Sequence, residues 1–227
     1  MQKTILALGG GGWAMEPENP LLDDFLLSLS DTPSPRIMLL PTASGDSREL
    51  IARFEAAFAD RAQPSHLSLF RRTEPIEALL DQDIVFVSGG NTANMLAIWR
   101  LHGVGRVLRR CWEQGVVLAG LSAGSLCWFE GGVTDSFSID LGPLPDGLGL
   151  LPGSHCPHYD GEALRRPVYT ELLRSAALPP GVAVDDGAAL LYRGTTLVEA
   201  VSSRPGARAW QVDADGHHAP IPVRFLG

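Results

Sequence analysis

Apolar residues along this chain follow two rhythms. Uninterrupted runs at residues 4–8, 36–40, 83–87 and 115–119 are rich in Ile, Val and Leu and stop at Gly or Pro clusters. A strand with both faces buried shows this pattern, because neither direction of its side chains meets water. Elsewhere the spacing turns helical. Over residues 48–60, Leu50, Ile51, Phe54, Ala57 and Phe58 share one side and charges take the other. Residues 92–101, 105–113 and 166–176 also read as helices. Strands alternating with amphipathic helices predict an α/β fold, a mostly parallel sheet flanked by helices.

Three stretches depart from that alternation. Residues 181–192 read as a β segment. The tail, 200–222, has mixed polarity and a turn signal at Asp215-Gly216, which predicts a small antiparallel C-terminal element. Residues 131–157 are rich in Gly and Pro with few helical signals, and read as a long ordered loop covering a site.

Composition narrows the class. A chain of 227 residues, 45% hydrophobic, suits one folded α/β domain over 1–227. A net charge of −8, from 18 Lys+Arg against 26 Asp+Glu, argues against a nucleic-acid surface, which needs a concentrated basic stripe. Cys111, Cys127 and Cys156 are odd in number and widely spaced, so neither a disulfide framework nor a metal knuckle is expected. That usage fits a reducing compartment. Residues 1–8 run directly into glycines without a leader pattern, and no apolar stretch reaches membrane length. The expectation is a cytoplasmic protein with no membrane partner. Trp99 and Trp210 are candidates for a homodimer face, against the plainer reading of single large residues as core.

The strongest local chemical signal is Val116-Val117-Leu118-Ala119-Gly120-Leu121-Ser122-Ala123-Gly124-Ser125-Leu126, a strand running through small residues into a helix. This is the nucleophile-elbow pattern, in which a hydroxyl on a sharp turn points out of the sheet. The flanking glycines avoid Cβ clashes, and the following helix aims its first amides at charge developing near the serine. The plainer reading is a tight connection with an ordinary serine. A second turn, Ser88-Gly89-Gly90-Asn91-Thr92, follows the preceding strand, so both turns fall at carboxyl ends of strands. Its amides and that of Ala123 are placed to form an oxyanion hole, although the same residues also read as a helix start capped by Asn91 or Thr92.

A serine nucleophile needs a base. His66, His102, His155, His158, His217 and His218 are the pool, with His155 and His158 in an irregular context after the 131–157 stretch. The orienting carboxylate has five candidates, Asp185, Asp186, Asp135, Asp140 and Asp160. Spacing does not choose among them.

Jointly, Leu8-Gly9-Gly10-Gly11-Gly12, Leu40-Pro41-Thr42-Ala43-Ser44, Gly89-Gly90-Asn91-Thr92, the Ser122 elbow, Pro157-His158 and Val184-Asp185-Asp186-Gly187 are specific. On them the sequence resembles the group of serine peptidases containing peptidase E (aspartyl dipeptidase) and cyanophycinase. The resemblance implies a class I glutamine amidotransferase-like, flavodoxin-like fold and a triad in the order serine, histidine, acid. By position Ser122 matches the nucleophile, His158 the base and Asp186 the acid, where relatives typically have glutamate; Asp185 and Asp135 remain alternatives. The amides of Gly90 and Ala123 match the oxyanion hole. No metal or organic cofactor is implied. The implied substrate is a short peptide, including dipeptides with N-terminal Asp, which need a cation; Asn91, Arg165 and Arg166 are the substrate-binding candidates.

Two rival readings stand beside this one. An α/β-hydrolase would use Ser122, Asp186 and His217 or His218, its acid preceding its histidine. A non-catalytic binding module on the same scaffold would keep Ser122 only as a turn residue.

Overall fold

Strands β1 (Thr4–Leu8), β2 (Arg36–Leu40), β3 (Gln63–His66), β4 (Ile84–Val87) and β5 (Val117–Leu121) form the parallel part of an eight-stranded sheet in the computed structural model, which describes residues 2–71 and 74–227. Their order is β3-β2-β4-β5-β1, and beyond β1 the sheet continues through β10 (Ala188–Arg193), β11 (Thr196–Ser202) and β14 (Val223–Phe225). Here β10 runs antiparallel to both β1 and β11.

The apolar runs have a direct cause in the layering. Leu6, Leu8, Ile37, Leu39, Ile84, Phe86 and Val117 pack beneath α1 (Leu21–Leu27) and α2 (Arg48–Phe58). The alternate residues Ile5, Ala7, Met38, Leu40, Val85, Val87 and Leu118 share a core with α3 (Thr92–His102) and α4 (Val104–Glu113). Both faces are covered, so β1, β2, β4 and β5 are apolar along most of their length, whereas the edge strand β3 is polar and only partly buried.

A second, six-stranded sheet has the order β13-β12-β9-β8-β6-β7, with β6 (Phe129–Thr134), β7 (Gly142–Leu144), β8 (Leu151–Cys156), β9 (Gly181–Val184), β12 (Ala209–Val212) and β13 (His218–Ile221). Phe129, Leu144, Leu151, Val182 and Val184 bury against the first sheet's core. The opposite face, through Val133, Cys156 and Ala183, packs on Tyr159, Tyr169 and Leu173, the last two from α6 (Arg165–Arg174).

Three expectations change. Residues 131–157 are not one long loop: they hold most of β6 and all of β7 and β8, joined by the shorter connections 135–141 and 145–150. The 181–192 segment is two strands in different sheets, β9 and β10, divided at Asp185-Asp186-Gly187. Trp99 offers no dimer face, being 1% exposed with its indole N–H donated to Thr42 Oγ1. The tail does form the antiparallel pair β12–β13 around Asp215-Gly216.

Register brings several loops to one edge. Leu8 pairs with Leu121 and with Ala189, and Val87 with Gly120, so β1, β4 and β5 end level with the start of β10. In the second sheet Cys156 pairs with Ala183, which delivers His158 and Asp186 side by side just beyond β8 and β9.

Candidate active site

Ser122 joins β5 to the short helix α5 (Ala123–Leu126) with φ 55° and ψ −114°, a conformation that residues with a Cβ rarely adopt. Its amide donates to the Leu8 carbonyl at 3.3 Å. The turn is sharp because backbones touch. A Cβ on Gly120 would lie 2.3 Å from the Gly124 carbonyl oxygen, and one on Gly124 would lie 2.1 Å from that of Val87. The neighbouring 88–91 turn lies against the serine, since a Cβ on Gly89 would be 3.4 Å from Ser122 Cβ. Among the described residues no carbonyl or side chain accepts from the amides of Gly89, Gly90 or Ala123. Ala123 opens α5, where amides have no intrahelical partner.

Asn91 is occupied otherwise. Its Oδ1 accepts from the Asn94 amide at 2.8 Å, capping α3, and its Nδ2 donates to the Ser136 carbonyl at 3.1 Å. Ser136 Oγ in turn accepts from the Thr92 amide at 2.8 Å. The segment after β6 is thereby tied across the glycine turn, and Phe137 and Ile139 beyond it are exposed.

His158 also has positive φ, 54°, and donates its amide to the Gly9 carbonyl at 3.2 Å. Consecutive carbonyls at the end of β1 thus hold the backbones of Ser122 and His158. The His158 Nδ1 lies 2.6 Å from Asp186 Oδ1, and the two side chains are 13% and 16% exposed. The carboxylate fits between two glycines: a Cβ on Gly161 would be 2.4 Å from Asp186 Oδ2, and one on Gly10 would be 2.0 Å from Oδ1. The Asp186 amide donates to Asp160 Oδ1 at 2.8 Å.

The structure brings Ser122, the 88–91 turn, His158 and Asp186 to one strand-end edge and leaves the other candidates elsewhere. Asp185 accepts from the Arg208 amide at 2.9 Å, and burial, with Asp160 nearby, pushes its carboxyl up to about 6. Asp135 and Asp140 are exposed. Arg165 is a correction: it is 4% exposed, donating to the Val133 carbonyl at 2.9 Å and to Glu162 at 2.8 Å, so it is consumed within the fold. Arg166 lies over the Trp210 ring at 5.8 Å. His217 is in the 213–217 turn with Asp213, and His218 bonds Tyr159 Oη. The three cysteines are buried and free, their thiols raised by burial.

Sequence reasoning missed Glu16 and Arg204. Arg204 packs on Gly187, immediately after Asp186, and pairs with Glu16 at 3.1 Å, while Ser203 Oγ donates to Glu16 at 2.8 Å. The turn signal in Ser202-Ser203-Arg204-Pro205-Gly206 was legible; the pairing with a residue near the other end of the chain was not.

Comparison with known proteins adds four findings. A family model described as peptidase family S51 matches residues 5–200. The chain is 48% identical to the uncharacterized peptidase YgaJ of Bacillus subtilis (strain 168), over 99% of this chain and all of that protein. It is 31% identical to a peptidase E of Shewanella denitrificans, over 57% of this chain and 59% of that protein. In three dimensions it superposes on the crystal structure of a peptidase from an acI-B1 Actinobacterium with a TM-score of 0.74 at 18% identity, covering 98% and 95% of the two chains. That last likeness concerns the fold. Among the described residues, no helix is long and apolar enough to cross a membrane.

Proposed function

The chain belongs to peptidase family S51 and is a peptidase; on that premise we propose a serine mechanism on short peptides, with Ser122 as nucleophile, His158 as base and Asp186 as the orienting carboxylate. One observation carries this reading: the 2.6 Å bond from His158 Nδ1 to Asp186, at the same strand-end edge as a serine held at φ 55°.

With Nδ1–H donated to the carboxylate, the His158 lone pair sits on Nε2, the nitrogen free to face substrate. His158 takes the Ser122 proton as Oγ forms its bond to the scissile carbonyl carbon. The electron pair displaced onto the carbonyl oxygen is received by the amides of Ala123 and Gly90. The imidazolium, stabilised by Asp186, then protonates the leaving amine as the C–N bond breaks. Water repeats the sequence on the acyl-enzyme and restores Ser122. The hydrolase order finds no support, because Asp186 is engaged by His158 while His217 and His218 are bound elsewhere.

Short peptides fit the segment that Ser136 ties across the glycine turn, which narrows the approach. Dipeptides with N-terminal aspartate are the first to try, given the relative named peptidase E. Arg165 does not supply the counter-ion, and we assign that role to Arg204, which packs on Gly187 and would exchange its present partners, Glu16 and Asp160, for the substrate carboxylate. The test is hydrolysis of a panel of X-Leu dipeptides, including X = Asp, by the wild type, Ser122→Ala, His158→Ala and Arg204→Ala. Ser122→Ala and His158→Ala should each lose activity by roughly 10³-fold or more while folded. Activity surviving Ser122→Ala would overturn the nucleophile, and an unaltered preference in Arg204→Ala would remove that residue's role.

A further inference from the structure

We propose that Ser125 and His155, a second serine–histidine pair buried behind the elbow, are positioning residues that aim the Ala123 amide at the oxyanion. The inference rests on the serine-peptidase reading above.

Both side chains are fully buried, and Ser125 Oγ lies 2.9 Å from His155 Nε2. The same hydroxyl donates to the Ser122 carbonyl at 2.8 Å. A serine hydroxyl has one proton. One arrangement satisfies both contacts, the hydroxyl proton going to the Ser122 carbonyl and His155 Nε2–H donating to the hydroxyl oxygen. Among the described residues Nδ1 makes no bond of hydrogen-bonding geometry, and the Val182 backbone is a further polar group acting on the ring. The relay therefore runs one way, from His155 to Ser125 to the Ser122 carbonyl.

That carbonyl also accepts from the amides of Ser125 at 3.0 Å and Leu126 at 2.9 Å, so three donors converge on one oxygen. The peptide unit is planar and trans, so fixing the Ser122 oxygen fixes the opposed N–H of Ala123. A four-residue helix has too few bonds of its own to hold such a plane, and φ 55° leaves Ser122 under strain to rotate. The relay supplies the missing restraint from the second sheet. His155 is anchored there between Gly132 of β6 and Val182 of β9 and stacked on Phe129 at 4.8 Å and 16°. Neither residue touches substrate. This pair is a device for orientation, made rigid because an oxyanion donor works only when it is aimed before charge develops.

The test compares Ser125→Ala and His155→Phe, which keep the packing and lose the relay, with His155→Gln, whose Nε2–H can still reach Ser125. For each variant we would measure kcat and KM on the best peptide, affinity for the matching peptide aldehyde, and melting temperature, and solve the crystal structure of Ser125→Ala. Expected are a kcat and an aldehyde affinity both lower by on the order of 10- to 100-fold in Ser125→Ala and His155→Phe, with KM little moved, and recovery of most of the loss in His155→Gln. Variants that lose only melting temperature, or a His155→Gln no better than His155→Phe, would overturn the proposal. The crystal structure separates this idea from the peptidase reading: an unrotated Ser122–Ala123 peptide in Ser125→Ala overturns it even if no peptide is ever cleaved. A rotated peptide supports it whatever the substrate.

Discussion

Gly10 and Asp186 share one small volume: a Cβ on Gly10 would lie 2.0 Å from Asp186 Oδ1 and 3.0 Å from His158 Nδ1. The atom in the way is the end of a side chain, which can rotate off. Gly10→Ala should therefore swing the carboxylate away from His158 and leave the fold nearly intact. Peptidase activity should fall on the order of 10²- to 10³-fold, approaching the effect of Asp186→Asn, with little change in melting temperature. Unchanged activity in Gly10→Ala would mean that Asp186 does not orient the base.

The strain at Ser122 has a thermodynamic signature. Ser122→Gly removes a Cβ from a backbone held at φ 55°, whereas Ser122→Ala keeps it. Both variants should be inactive, but Ser122→Gly should be the more stable by about 1 kcal/mol, a rise of roughly 2–4 °C in melting temperature for a chain of this size. Equal melting temperatures would show that the elbow carries no strain.

Acid should weaken the fold through His155. Burial drives this imidazole down to about 3 from the ordinary 6.5, against the polar Val182 backbone, which raises it, and Arg165 is a further cationic neighbour. Between those values the unfolded chain binds a proton that the folded chain refuses, so the stability associated with neutral His155 is complete above about 6.5 and declines as pH falls towards 3. Denaturation of the wild type and His155→Phe across pH 4–8 should show the variant losing less stability in acid. Parallel curves would contradict a buried neutral histidine.

Asp23 should act in the opposite sense. Its Oδ1 accepts from the Trp13 amide at 3.2 Å, and burial raises its carboxyl to about 6 despite Arg61. A folded value above the usual 3.8 means a contribution that is fully present at low pH and lost as pH rises through about 6. Asp23→Asn keeps an acceptor for Trp13 and removes the buried charge, so it should raise the melting temperature by a few degrees, roughly 2–4 °C, at pH 8 and scarcely at pH 4. A lower melting temperature at pH 8 would show that Arg61 outweighs burial.

How much of this could be read from the chain differs by element. The runs that became β1, β2 and β4 were legible at their residues because a doubly buried strand has no polar positions to confuse the pattern. Ser122 and the 88–91 turn were legible because a tight turn restricts residue types locally. The second sheet was not. Gly132 looks like loop material, yet it is glycine because a Cβ there would meet the His155 carbonyl oxygen at 2.2 Å, a demand set by a neighbouring strand. The resemblance pointed to Asp186, but residue spacing alone left Asp186 and Asp185 both open for a related reason. Adjacent residues face opposite ways where the chain passes between sheets, and only the placement of β9 and β10 decides which one meets His158.

Asp186 lies on the passage between the sheets, and the strand that follows it closes on β1 at the opening of the chain. On the reading proposed above, Asp186 has no fixed place until β10 docks against β1, so closure of the first sheet and completion of the triad would be a single event.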